Sequence, residues 1–502
     1  MCVLFNIRTN MLNKKKVAVI GSGFAGLSSA AVLSAQGLSV ELFEKNELLG
    51  GRARQFSHQG FVFDMGPSWY WMPDVFERFF NRFNHTTSDF YELKKLDPGF
   101  QIVYGENDDM KVPASWDELL EMFEEIESGA ADKLRKFMDE AEYKYSVGIN
   151  ELVYKPGFSL MEYLRPDIIK GVFRLQVFSS FRKHVHKHFK HPRLRALMEF
   201  PVLFLGALPK NTPALYSLMN YAGLKQGTFY PLGGFGRVID AMRQIAEEQG
   251  VTIHSGEPVE HIGISQNRAD FISANGHSGP VDGIIGAADY HHIEQNLIDA
   301  PFRNYSEEYW GKKTFAPSCL LFYMGIDKKI DKLEHHNLFF EEDLDQHAEQ
   351  IYNDPAWPDK PLFYVCAPSK TDSEVAPEGK ENIFMLMPIA PGLEDQAMMR
   401  EKYFQLMMDR LEKYTGASIR EHIIYKRSYC VNDFISDYNA YKGNAYGLAN
   451  TLDQTAILKP SLRNKKIKNL FYAGQLTQPG PGVPPSIISG QVAAEQLIKE
   501  LS

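Results

Sequence analysis

Residues 15–56 read KKVAVIGSGFAGLSSAAVLSAQGLSVELFEKNELLGGRARQF, and the fold is decided there. An apolar run, KVAVI, meets the glycine turn GSGFAG, then a helical stretch of small and apolar residues, then a second apolar run, SVELFE. Strand, tight turn, helix, strand is a βαβ unit. Gly21 permits the turn, Gly23 lets the backbone approach a diphosphate, and Gly26 lets the helix pack closely on the sheet. Phe24 and Ala25 stand in the turn beside the helix N-terminus, where free N–H groups and the helix dipole favour an anion. Glu44, followed by Lys45, ends the second strand in position to accept hydrogen bonds from the hydroxyl pair of a ribose. An acid there repels a 2′-phosphate, which disfavours NADP.

The segments that follow point to FAD rather than NAD. Gly51 and Arg52 come next, and the guanidinium can meet a diphosphate as a bidentate fork. In FVFDMGPSWYW, residues 61–71, Gly66 and Pro67 stand where a flat ring can approach the backbone. The main chain at Val259, in GEPVEHI, can bracket an adenine. The C-terminal stretch NLFYAGQLTQPGPGVPPSIISGQVAAEQL, residues 469–497, supplies a second glycine turn and helix start through Gly474, Gly482, Val483 and Pro484. A site assembled from both chain ends suits a long cofactor buried along its whole length.

Length and composition set the bounds. At 502 residues the chain exceeds the usual single-domain size. Its hydrophobic content of 44% allows a large core. A net charge of −9 argues against a general nucleic-acid binder. The four cysteines form no CxxC pair, so neither a disulfide framework nor a zinc site is expected, and a reducing cytoplasm fits. Residues 1–16 lack the h-region of a signal peptide, and Met11 is a second candidate start. No apolar run reaches the ~18 residues of a membrane span. The expected architecture is α/β: a Rossmann-like FAD-binding domain in three parts, 14–112, 226–290 and 441–502. A helical part at 113–225 and a mixed-sheet substrate domain at 291–440 complete it.

Blocks along nearly the whole chain resemble the bacterial phytoene desaturase (carotenoid desaturase) family of FAD-dependent oxidoreductases. They include AVIGSGFAGLSSA, GFVFDMGPS, FYPLGGFGRVIDAM, HHNLFF, YVCAPSKTDSEVAPEGKENIFMLMPIAP, YNAYKGNAYGL and LFYAGQLTQPGPGVPPSIISGQ. The last and the PSKTDSEVAPEGKENIFMLMPI segment are far more specific than the glycine turn. The resemblance implies a glutathione-reductase-type FAD domain, a substrate domain and a helical membrane-associating part. It also implies successive desaturation of a long polyene, commonly phytoene to lycopene. Gln475, Gln478 and Pro485 depart from several relatives. The alternatives are another C30 or C40 carotenoid desaturase, isomerase or oxidase of this family, an amine-oxidase-like flavoenzyme, or a lipid-binding escort protein without flavin chemistry. No cysteine follows Cys430 to attach a flavin covalently, as some amine oxidases do.

Such a reaction removes a hydride from one carbon and a proton from its neighbour. A flavin accepts the hydride, and no side chain does. In FSLMEYLRPD, the resemblance marks Glu162 and Arg165, which share a helix face at i, i+3. Glu162 takes the proton in this reading, or Arg165 helps to hold an electron acceptor such as a quinone or oxygen; the alternative is that the two form a surface ion pair. RKHVHKHFKHPR, residues 182–193, is not read as a metal site, because its neighbours are basic and no carboxylate is interleaved. Residues 168–198 contain no acid but carry Lys170, Arg174, Arg182, Lys183, Lys187, Lys190, Arg193 and Arg195. Phe173, Leu175, Val177, Phe178, Phe181 and Phe189 alternate with them. Together these make a candidate docking surface for an anionic membrane, from which a polyene substrate would enter. A cytoplasmic protein attached peripherally to the membrane is the expectation.

Overall fold

The structure is a computed structural model that describes residues 14–159, 179–451 and 453–502. Strand β1 (Lys16–Ile20), helix α1 (Phe24–Ala35) and strand β2 (Ser39–Glu44) form the expected βαβ unit. They start a five-stranded, all-parallel sheet ordered Leu470–Tyr472, Gly283–Gly286, β1, β2, Thr252–Ser255. Both of its faces are covered, as a parallel sheet requires. Side chains alternate along β1: Val17 and Val19 pack with α1, whereas Ala18 and Ile20 pack toward the meander Val259–Ser265, Arg268–Ala274 and His277–Pro280.

The helix layer is held together by two glycines. A Cβ on Gly26 would lie 1.8 Å from the Gly21 carbonyl oxygen, so α1 reaches the turn only because that position is bare. The C-terminal helix Val483–Leu501 lies against α1 in the same way, since a Cβ on Gly490 would stand 2.2 Å from the Ala25 oxygen. The Ser28 hydroxyl donates across this contact to the Ile487 carbonyl at 3.0 Å.

Two small two-stranded sheets pair Gln55–His58 with Phe61–Asp64 and Leu93–Lys95 with Phe229–Pro231, and a second large sheet has seven strands. Its order is Ile423–Tyr429, Ser318–Ile326, Glu381–Ile389, Phe363–Cys366, His336–Phe339, Phe100–Gly105, Asp108–Val112. Every pairing is antiparallel except that of His336–Phe339 with Phe100–Gly105, so the sheet is mixed. Its last two strands come from within 14–112, the segment read as nucleotide-binding. They cross over because Asn337, Leu338 and Phe339 offer them a free edge. One face of the sheet, with Leu320, Phe322, Met385, Met387 and Phe339, buries itself against Tyr403, Phe404, Met407, Met408 and Leu411 of the helix Ala397–Thr415.

The segment 113–225 is largely helical among its described residues, with Trp116–Ile126, Ala130–Val147, Phe181–His188 and Pro192–Glu199 as its main helices. The aromatic half of the proposed docking surface is corrected here. Phe181 and Phe189 are fully buried, and Phe189 packs edge-on against Phe123. The apolar stripe of each short helix is covered by the helices before it, which a local pattern does not reveal. Several of the cations are also spent internally. Arg182 pairs with Glu199 and Asp345, Arg193 with Asp108, and Arg195 donates to the Phe189 carbonyl. Lys183, Lys187 and Lys190 remain exposed, while Lys170, Arg174, Phe173, Leu175, Val177 and Phe178 lie outside the described residues. Among the described residues no helix is long and apolar enough to cross a membrane.

The contact at Gly490 makes a direct prediction. Gly490→Ala forces a methyl group against the Ala25 carbonyl, and overpacking of this kind costs about 1–3 kcal/mol. Urea unfolding should show that loss, whereas alanine at the exposed Gly276, where a Cβ meets nothing within 4 Å but φ is +85°, should show the smaller cost of backbone strain alone.

Candidate active site

One cavity of about 660 Å³ runs from the carboxyl end of the parallel sheet to the open face of the mixed sheet. At the first end, the N-terminus of α1 is uncapped: Gly23 offers no side-chain acceptor, and the first turn holds no acid. Its N–H groups and positive dipole end therefore face the cavity unmatched. Gly21, Gly23, Phe24, Ala25, Glu44, Lys45, Gly51, Arg52 and Val259 line this end, and Gly26 lies one layer beneath it.

Glu44 is held firmly. One oxygen accepts from the Ser22 N–H at 3.0 Å and the Ser22 hydroxyl at 2.7 Å, the other from the Asn46 N–H and side-chain amide, both at 2.9 Å. These four bonds use the usual acceptor capacity of a carboxylate, so a ribose diol would share them. Lys45 turns its amine toward the Ser436 carbonyl and Asn439. Burial lowers its pKa. Arg52 donates from Nη2 to the Asn444 carbonyl at 3.1 Å and lies over the Tyr438 ring, while its buried Nε has no partner. Burial lowers the Arg52 pKa and raises that of Asp289, whose charge opposes the shift on Arg52.

The chain termini meet at the middle of the cavity. Gly66, Pro67, Gly474, Gly482, Val483 and Pro484 all line it. The C-terminal helix begins here without a side-chain cap or an acid in its first turn, a second open helix start on the same space. Beyond this point the wall is the bare face of the mixed sheet: Cys319 and Leu321, Leu386 and Pro388, and Leu338 and Phe340, each pair two residues apart. The helix Leu344–Tyr352 closes it with Leu344, His347, Ala348, Ile351 and Tyr352. His347 is fully matched, with Nε2 2.8 Å from the Pro388 carbonyl and Nδ1 accepting the Leu362 N–H, and burial pushes its pKa down to about 4. The charged lining residues Glu44, Lys45, Arg52, Asp289 and Asp437 belong to the nucleotide end; among the described residues, the far end is apolar and neutral.

A cavity that is polar and anion-seeking at one end and greasy at the other suits a nucleotide cofactor working on a hydrocarbon. The model of the flavin containing amine oxidoreductase family matches residues 24–498. The chain belongs to that family. It is 41% identical over 98% of its length to a carotenoid 3,4-desaturase of Haloarcula japonica, covering 99% of that protein. It is 30% identical to a 4,4′-diapophytoene desaturase of Staphylococcus haemolyticus, with 97% and 99% of the two chains covered. A zeta-carotene-forming phytoene desaturase of Myxococcus xanthus is 29% identical, with coverages of 96% and 94%. Among solved structures, putrescine oxidase bound to putrescine superposes with a TM-score of 0.63 at 14% identity, covering 97% of this chain and 99% of that one. An oxidoreductase from Methanosarcina mazei does so with 0.61 at 17%, covering 95% and 98%. At such identities these two share the fold.

The protein is thus an FAD-dependent oxidoreductase of the carotenoid desaturase family. The residues present fit the cofactor: two uncapped helix starts, a buried arginine nitrogen without a partner, and a glycine turn that side chains would fill. Glu162 and Arg165 lie outside the described residues. Asp289 and the Leu344–Tyr352 helix were not anticipated. Asp289 caps the helix after Gly283–Gly286, accepting from the His292 N–H at 3.1 Å, and an aspartate just beyond a strand was its available signal. Spacing of i, i+3, i+4, i+7, i+8 in LDQHAEQIY announces an apolar stripe but not the cavity it faces.

Glu44→Ala releases the Ser22 and Asn46 donors and removes the acceptor for a ribose. With hydrogen bonds to charged groups at about 1.5–3 kcal/mol, FAD affinity should fall roughly ten- to a hundredfold. Titration of apoprotein followed by flavin fluorescence measures this, and affinity within twofold of the parent would contradict the assignment.

Proposed function

We propose that this enzyme dehydrogenates a carbon–carbon single bond of a long carotenoid taken directly from a membrane. The observation that carries the reading is the continuity of the cavity, from the glycine turn to a neutral apolar chamber between the mixed sheet and the Leu344–Tyr352 helix. FAD, when bound, supplies a two-electron acceptor for a hydride. Gly23, Phe24 and Ala25 would hold its diphosphate, Glu44 its ribose, Val259 its adenine, and Gly66, Pro67 and the turn at Gly474–Pro484 its ring. The chain's own work is to orient the substrate against that ring, to exclude water that would trap a developing cation, and to remove a proton.

The higher identity to the carotenoid 3,4-desaturase, 41% against 29% for the phytoene desaturase, favours desaturation at the 3,4 position of a carotenoid. Conversion of phytoene to lycopene is the second reading. Hosts that accumulate either phytoene or lycopene distinguish them. The first reading expects the pigment of the lycopene host to shift to longer wavelength and the phytoene host to stay colourless. Colour in the phytoene host alone selects the second reading, and no change in either host sinks both.

Moving a C40 hydrocarbon through water would cost on the order of 30 kcal/mol at ~0.8 kcal/mol per methylene. The enzyme therefore docks on the bilayer, and segment 168–198 is the proposed contact. Lys183, Lys187 and Lys190 are exposed within it. Glu162 and Arg165 precede this segment; Glu162 is the rival acceptor of the proton, or Arg165 helps to hold an electron acceptor such as a quinone or oxygen. Each basic residue near anionic lipid contributes about 1 kcal/mol. Lys183→Gln with Lys187→Gln should weaken co-sedimentation with anionic vesicles roughly tenfold or more, and salt should weaken the parent likewise. Unaltered sedimentation of the double variant would move the contact elsewhere.

A further inference from the structure

The histidine pair of HHNLFF has no role in the reading so far. His335 and His336 are 4% and 0% exposed, and in each ring Nδ1 is engaged while Nε2 has no hydrogen-bond partner. Interiors rarely leave such atoms unmatched, and two side by side call for an explanation.

The bonds around them form a line. Ser68 and Tyr364 line the cavity wall beside Gly66 and Pro67. The Ser68 and Tyr364 hydroxyls are 2.9 Å apart, and the Tyr364 hydroxyl is 2.6 Å from His336 Nδ1. Trp69 stacks on the His336 ring at 4.1 Å and 8°, fixing its plane. The His335 ring lies 4.4 Å away and nearly perpendicular. One nitrogen of each ring and the Cys366 sulfur lie within 4.8 Å of one another, so transfer between the rings requires the thiol or one bridging water as a link. On the far side His335 Nδ1 meets the Thr371 hydroxyl at 2.8 Å. Thr371 is half-buried at the protein surface, with the exposed Lys94 amine 3.5 Å from its carbonyl.

We propose that Ser68, Tyr364, His336, His335 and Thr371 form the path by which the proton of each desaturation leaves the cavity. The proposal rests on the desaturase reading. Every turnover frees one proton in an apolar chamber, where an uncompensated charge is strongly disfavoured. Two hydrogens leave neighbouring carbons and a double bond forms between them. One departs as hydride, with its electron pair, to the flavin oxidant. The other passes as a proton to the Ser68 hydroxyl, which hands its own to Tyr364, and Tyr364 hands its own to His336 Nδ1. His336 then releases its Nε2 proton toward His335, which releases one through Nδ1 to Thr371 and water. Burial pushes the His335 pKa down to about 3 and that of His336 well below the ordinary value, so positive charge passes through the rings and does not rest on them. The competing use of two imidazoles and a thiol is a metal site. A metal needs a thiolate, and burial pushes the Cys366 thiol up to about 12.

The test has two arms, both on the FAD-loaded full chain. In the first, imidazole ¹⁵N labelling measures exchange of the His336 ring proton with solvent. It should be at least tenfold faster than exchange of the amides of the strand Glu381–Ile389, and at least tenfold slower in Thr371→Val and in His335→Gln. In the second, Tyr364→Phe and His335→Gln should each slow turnover of a carotenoid at least tenfold with unchanged FAD content and a larger solvent deuterium isotope effect. Free imidazole should restore part of the His335→Gln rate. Ring exchange no faster than the strand amides, or indifferent to both variants, overturns the path. So does stoichiometric zinc or copper in the purified protein. So does a wild-type rate and isotope effect in Tyr364→Phe beside an inactive Glu162→Gln. If no carotenoid bleaches the flavin of the parent enzyme, the desaturase reading fails, and the exchange arm still decides whether the path exists.

Discussion

The close seating of α1 against the C-terminal helix is the contact on which the rest depends. The approach of Gly490 to the Ala25 carbonyl brings the two helices into one layer, and that of Gly26 to the Gly21 carbonyl seats α1 on its own glycine turn. That layer fixes both uncapped helix starts on a common space. A methyl group on Gly490 would push the two helices, and with them their positive dipole ends, apart. The chemistry needs the reverse: a charged, water-loving molecule and a hydrocarbon meeting in one sealed volume.

The mixed sheet shows how a single element serves two needs. Alternation along each strand sends Leu320, Phe322, Met385 and Met387 into a conventional core beneath the Ala397–Thr415 helix. The residues between them, Cys319, Leu321, Leu386 and Pro388, are left to face the cavity. The core face carries the stability, so the other face is free to shape the chamber. Electrostatics follow the same division, since among the described residues the charged lining groups sit at the nucleotide end and the substrate end keeps only neutral ones.

How far the sequence foretold this depends on distance along the chain. The glycine turn, Glu44 and the helix starts are local, and their chemistry is written in adjacent letters. Gly66, Pro67 and the C-terminal turn were read from their glycine and proline pattern and its order along the chain, and the structure brings them to the same cavity. What stayed hidden was tertiary. Nothing in Phe100–Val112 says that these strands leave the first domain's sheet for the second. Nothing in LDQHAEQIY names the surface its stripe will cover. Phe181 and Phe189 read as a greasy face in search of a membrane because periodicity reveals that a face is apolar, not what covers it. Ser68, His336 and Tyr364 span 296 positions from first to last and became a line only on folding.

The edge strand Leu470–Tyr472 has a consequence for biosynthesis. It completes the parallel sheet next to Gly283–Gly286, and the helix that follows supplies one wall of the cavity. A ribosome therefore adds more than four hundred residues after β1 before a complete cofactor pocket can exist. Until then the greasy sheet face and the first glycine turn are built but unsealed. Flavin loading thus reports that the turn and helix after Leu470–Tyr472 are in place, and a polypeptide cut short before residue 473 lacks that wall of the pocket.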